Sequence, residues 1–228
     1  MNNIDPQGFV IKICGLTTEQ DTAAAISAGP SAIGLNFYPK SPRFLTLDQA
    51  RALASLVPPE IARVGVFVNA TADQLTRVLE SVSLDVLQLH GTLPDLDSLP
   101  NTLRLWRATP VTPDFRFSQL NATFEAHLLD SPSPQFGGSG QSFDWRRARG
   151  PAGVRVILAG GLNPSNVALA IQTAAPWGVD ASSGLEFAPG RKDPEKMKAF
   201  VEAARAAFLA LHARAAAATT ATPEPISK

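Results

Sequence analysis

Eight short, mostly apolar runs recur along the 228 residues, each followed by a stretch with helical or loop character. They are Phe9–Gly15, Ala32–Phe37, Ala62–Val68, Asp85–Gly91, Leu103–Ala108, His127–Asp130, Val156–Ala159 and the short run around Val179. Near-continuous apolar runs of this length fit parallel strands covered on both faces. Eight such strands in alternation with helices predict an α/β fold, a single (β/α)₈ TIM barrel. The intervening segments carry helix signals. Thr17 or Thr18 caps a helix over Glu19–Ala28 that stops at Gly29-Pro30, and Thr46–Ala50 opens a second that Pro58-Pro59 ends. A third covers Ala72–Ser81, and later ones cover Pro164–Ala174 and Asp193–Leu211. Leu96–Leu99 leaves room only for a short helix, and Thr109–Thr123, with two prolines, predicts a fifth helix that is short or missing. A doubly wound open sheet is the rival. The first strand is not followed by Gly-x-Gly-x-x-Gly, which counts against its dinucleotide-binding form.

Residues 1–212 are read as one barrel domain, and the Ala-, Thr- and Pro-rich residues 213–228 as a disordered tail. Lys+Arg equals Asp+Glu, so neither a nucleic-acid footprint nor a basic membrane contact is expected. No apolar run approaches the ~18 residues of a membrane span. The first residues carry neither a basic region nor an apolar core of a signal peptide. The single cysteine excludes an internal disulfide and a cysteine-based metal cluster. Together these predict a cytoplasmic protein.

In a parallel barrel the site lies where the strands end at their C-terminal side. Cys14, Gln88, His90, Asp130 and Asp180 fall there, with Asn36 and, from a stiff two-proline loop, Arg43. Cys14 reads as a buried small apolar residue or as a base or nucleophile whose thiol needs only a modest downward push. Asp130 follows four apolar-rich residues and reads as a loop cap or as a general acid raised by its surroundings. Arg43 is a solvated charge or a positioned guanidinium that grips a carboxylate. His90 hydrogen-bonds a neighbouring backbone group or faces a ligand, and Asp180 braces the turn that follows it. Gly160-Gly161 and Ser182-Ser183-Gly184 end two consecutive strands, an arrangement suited to one phosphate. Arg191 and Lys192 read as solvated charges. The spacing of His and carboxylates gives no metal site. Ser131–Phe143 is long and Gly-rich, as a lid over a site would be.

These motifs resemble the phosphoribosylanthranilate isomerase family. The stretches that carry the resemblance are Lys12–Thr17, Phe37–Arg43, Val64–Asn69, Val86–Gly91, Leu128–Ser131, Gly137–Gly140 with Phe143–Trp145, Leu158–Pro164 and Gly178–Glu186 with Pro189-Gly190 and Lys192-Asp193. They run in order over about residues 9–205. The resemblance implies a (β/α)₈ barrel without a cofactor. It would isomerise N-(5-phosphoribosyl)anthranilate to 1-(2-carboxyphenylamino)-1-deoxyribulose 5-phosphate by an Amadori rearrangement. It implies Asp130 as general acid, Cys14 as general base, Arg43 on the anthranilate carboxylate and the backbone of Gly160, Gly161, Ser183 and Gly184 on the phosphate, with Ser182 beside them. Gln88, His90 and Asp180 are expected to face the small phosphorylated substrate. Barrels of this family are monomers or homodimers, and the sequence leaves both open. Trp106-Arg107-Ala108 replaces a more usual aliphatic-Lys-Ala. Cys14 separates the chain from the related histidine-pathway isomerases, which place an aspartate there. Indole-glycerol-phosphate synthases need a strand lysine, and Lys12 is the only candidate. A binding-only barrel would lack Cys14 or Asp130.

Overall fold

The computed structural model describes residues 8–96, 99–100, 102–132 and 142–220. Eight strands form a closed barrel in chain order: β1 Val10–Cys14, β2 Ala32–Asn36, β3 Ala62–Val68, β4 Val86–His90, β5 Arg104–Pro110, β6 Ala126–Asp130, β7 Val156–Leu158 and β8 Gly178–Ala181. All neighbours are parallel, and β8 closes the barrel onto β1 with Lys12 opposite Asp180. A hairpin of β9 Glu186–Ala188 and β10 Arg191–Lys192 follows.

Strand alternation divides the apolar residues into two cores. Val10, Ala32, Val64, Trp106, Ala126 and Ile157 belong to the set that fills the barrel. The larger set, with Ile13, Leu35, Phe67, Leu87 and Leu129, packs between strands and helices. Trp106 is fully buried, and its Nε1–H donates to Glu125 Oε2 at 3.2 Å. Glu125 also accepts from Arg104 and Arg155, and Arg155 lies over the Trp177 ring. This cluster plugs the end of the barrel opposite the strand C-termini. Arg107, at the departure from the family pattern, donates to the Leu89 and Gly91 carbonyls.

The helices are α1 Glu19–Ala28, α2 Leu47–Leu56, α3 Ala72–Ser81, α4 Val167–Ala174 and α5 Pro194–Thr220. Thr18 caps α1, and left-handed Gly29 ends it. Thr46/Gln49 and Thr71/Gln74 form capping boxes that start α2 and α3. The predicted bounds of α1 and α3 coincide with the observed ones. α4 starts three residues later than predicted, because Asn163 and Asn166 tie residues 163–166 into a turn. After β5 only a 3₁₀ turn over Phe117–Gln119 forms, in line with a fifth helix expected to be short or missing. The expected short helix at Leu96–Leu99 crosses residues outside the described ones, as does the Gly-rich stretch over residues 133–141. α5 continues past the expected Leu211 to Thr220, since its Ala-rich end has the strongest intrinsic helix preference.

Candidate active site

The C-terminal ends of the strands surround a cavity of about 540 Å³. Cys14, Arg43, Gln88, His90, Asp130, Asp180 and Ser182 all line it. A smaller recess of about 50 Å³ adjoins, shares Asp130, Asp180 and Ser182, and is walled by Gly160, Gly161, Ser183 and Gly184. The structure therefore brings together every residue proposed for the site.

The recess is made of backbone. Its loops approach so closely that a Cβ on Gly184 would lie 2.1 Å from the Leu162 carbonyl oxygen. Gly160 and Gly161 have φ of 85° and 65°, a region that favours glycine. Among the described residues, no acceptor takes the N–H groups of Gly161, Ser183 or Gly184. These donors suit a compact anion.

Asp130 ends β6, where its side chain is largely removed from water. Burial pushes its carboxyl up to about 6, and the Asp180 charge adds to this. The Ser131 N–H, which donates to Oδ1 at 2.7 Å, and Lys12 oppose the shift. An acid that holds its proton near neutral pH is suited to protonate a leaving oxygen.

Cys14 ends β1 with 8% of its surface exposed. Gly34 on the neighbouring strand makes its room, since a Cβ there would sit 2.6 Å from Sγ. The expected downward push on the thiol is present, from the Lys12 and Lys192 charges, but burial outweighs it and the thiol is pushed up.

Arg43 lines the cavity. Its Nε and Nη2 each donate to a Glu186 carboxylate oxygen at 2.7 Å, a bidentate pair that fixes the plane of the guanidinium. Lys192 Nζ donates to Glu186 Oε1 at 2.8 Å and to the Ser182 carbonyl at 3.1 Å. The two cations hold the Glu186 carboxyl below its usual range. This corrects the reading of Lys192 as a solvated charge: it is 1% exposed, because the hairpin turns it inward onto Glu186. Arg191 is exposed, over the Phe187 ring.

Gln88 Nε2 donates to His90 Nε2 at 2.9 Å. The accepting imidazole is neutral, and burial pushes it down to about 3. Gln88 Oε1 is buried with no partner among the described residues. Asp180 does not brace its own turn. Its Oδ1 accepts from Lys12 Nζ at 2.9 Å inside the barrel.

Sequence reasoning missed Lys12, Glu186 and Lys192 as parts of the site. A signal existed for each. Lys12 is a charge inside an apolar strand, in phase with Cys14. Pro189-Gly190 marks a turn that returns Lys192 to Glu186.

Residues 11–203 match the family model described as PRAI, N-(5'-phosphoribosyl)anthranilate (PRA) isomerase. An N-(5'-phosphoribosyl)anthranilate isomerase of Solibacter usitatus is 48% identical over 202 residues, 88% of this chain and 99% of the relative. A crystal structure of monomers of the dimeric phosphoribosylanthranilate isomerase of Thermotoga maritima superposes with a TM-score of 0.73 at 32% identity, covering 87% and 99% of the two chains. A phosphoribosylanthranilate isomerase crystallised with reduced 1-(o-carboxyphenylamino)-1-deoxyribulose 5-phosphate gives 0.71 at 32% identity, with the same coverage.

Proposed function

This chain belongs to the N-(5'-phosphoribosyl)anthranilate isomerase family of tryptophan biosynthesis, and from that premise we propose how its residues divide the reaction. The substrate, N-(5'-phosphoribosyl)anthranilate, has a phosphate at one end and a carboxylate at the other. The phosphate fits the recess of Gly160, Gly161, Ser182, Ser183 and Gly184. The carboxylate pairs with Arg43, whose remaining N–H donors are left over from Glu186. Gln88, neutral His90 and Asp180, which line the cavity, face the middle of the substrate.

Protonated Asp130 gives its proton to the furanose ring oxygen. The bond from that oxygen to C1′ breaks, and the anilino nitrogen lone pair forms the Schiff base. The Cys14 thiolate then removes the proton from C2′, and the electron pair moves into the enolamine. Tautomerisation gives the ketone of 1-(2-carboxyphenylamino)-1-deoxyribulose 5-phosphate. The protonated imine of the substrate is itself the electron sink.

The observation that carries this division is Asp130, a carboxyl held near 6 at the floor shared by cavity and recess. Decay of the fluorescence of freshly made phosphoribosylanthranilate tests it. Cys14→Ser and Asp130→Asn each lose ~10²-fold or more in turnover. Turnover that survives both substitutions places the chemistry elsewhere.

Residues 1–212 carry the activity, and a chain ended after His212 keeps its kcat/KM. Support comes from exposed Ala213–Ala217 beyond the contact of His212 with Phe9. No helix among the described residues is long and apolar enough to cross a membrane, and the biosynthetic reaction supports a cytoplasmic location. Zero formal net charge supports a protein without a nucleic-acid partner. Light scattering distinguishes monomer from homodimer.

A further inference from the structure

The barrel interior holds a charge pair that the reaction as written does not use. Lys12 is fully buried on β1, and Asp180, 8% exposed on β8, accepts from its Nζ at 2.9 Å. An ion pair at such a place is weak evidence of stabilisation, because both charges have left water. Neighbouring interior positions are filled by Val10, Ala32 and Val64 at no such cost. The placement of the pair is what sets it apart. Lys12 and Cys14 are two residues apart on one strand, so both project to the barrel interior. The charged groups that act on Cys14 are Lys12 from its own strand, Asp180 from β8, Lys192 from β10 and Arg43 from the loop after β2. Lys192 and Arg43 share Glu186, which offsets them. Lys12 is in turn sensitive to Cys14 as well as to Asp180.

We propose that Lys12 is a positioning residue for the isomerisation: its ammonium, moored by Asp180, is the counter-ion of the Cys14 thiolate. The inference rests on the reading of Cys14 as the base. An ammonium fixed before substrate arrives needs no reorganisation when the thiol ionises. Asp180 offsets the burial that pulls the Lys12 ammonium toward losing its proton, and its charge raises Lys12 above the ordinary range.

Cys14 is the only cysteine in the chain, so alkylation by iodoacetamide reads it alone. The rate is followed against pH for wild type, Lys12→Met and the double variant Lys12→Met/Asp180→Asn. The double variant leaves no carboxylate buried without a partner, and circular dichroism confirms that each variant is folded. Lys12→Met moves the midpoint up by a pH unit or more, and alkylation at pH 7.5 slows about tenfold. The double variant moves it in the same direction by less. The alkaline limb of the kcat/KM profile moves up with the midpoint. A structural role alone would lower stability and leave the midpoint in place. A folded variant whose midpoint is unchanged or lower overturns the proposal, and if Lys12→Met does not fold the double variant decides. Full turnover by Cys14→Ser, with the midpoint shift intact, removes the base assignment but leaves the hold of Lys12 on the thiol.

Discussion

Asp130→Asn makes the protein more stable above neutral pH while it removes the acid. Burial lifts the native carboxyl from 3.8 to about 6, roughly two pH units at ~1.36 kcal/mol each, or about 3 kcal/mol. The sign follows from linkage. The native state binds the Asp130 proton more tightly than the unfolded chain, so that stabilisation is complete below about 3.8. It is lost as pH rises through about 6, where the fold must hold a buried carboxylate. Asparagine is never charged and keeps an Oδ1 acceptor for the Ser131 N–H. Urea denaturation of both proteins at pH 4 and pH 8 isolates the effect, since the other titrating groups largely cancel between variant and wild type. The stability of Asp130→Asn relative to wild type rises by about 2.5 kcal/mol between the two pH values, and turnover falls by ~10² or more. A difference that is the same at both pH values refutes the argument that burial prepares this acid.

Glu186→Gln removes the carboxylate that fixes Arg43, so KM rises about tenfold while kcat changes little; an equal loss in kcat would place Glu186 nearer the chemistry. Gly184→Ala drives a Cβ against the Leu162 carbonyl, so inorganic phosphate no longer inhibits competitively at wild-type concentrations, and unchanged inhibition moves the phosphate elsewhere. The kcat/KM profile rises with pH up to about 6, because the thiolate population grows while Asp130 stays protonated. Between 6 and the raised thiol value the two populations compensate, and above it the rate falls. His90, already neutral above about 3, adds no limb, so His90→Gln leaves the acidic limb in place; its disappearance would assign that limb to His90.

The barrel was legible because its signals are local. Apolar runs, the Thr caps of α1 and α2 and the glycines at strand ends each depend on a few adjacent residues. Cys14, Asp130 and the two Gly and Ser turns were legible for the same reason: each sits at a strand end, and strand ends in a parallel barrel converge. The ion-paired parts of the site were not. Lys12 meets Asp180 across 168 residues, and Arg43 meets Glu186 across 143. Such pairs are fixed by closure of the barrel and by the β9–β10 hairpin, which leave only faint marks in sequence. Lys192 looks like any charge beside a helix start until the hairpin turns it inward. The direction of the Cys14 shift was hidden for a related reason, since it depends on how much burial offsets two cations.

The contacts between the two ends of the chain also set when the protein becomes an enzyme during synthesis. Lys12 waits for Asp180, Arg43 for Glu186, Asp21 for the Lys192 N–H and Thr17 for the Gly190 carbonyl. A nascent chain that stops before Asp180 has the base but neither the counter-ion's mooring nor half of the anion recess. It also leaves cations that the finished barrel buries without their acids. On the proposed division of roles, each partial product lacks turnover. A break or a new terminus within residues 180–192 separates partners that the first quarter of the chain has been holding in reserve.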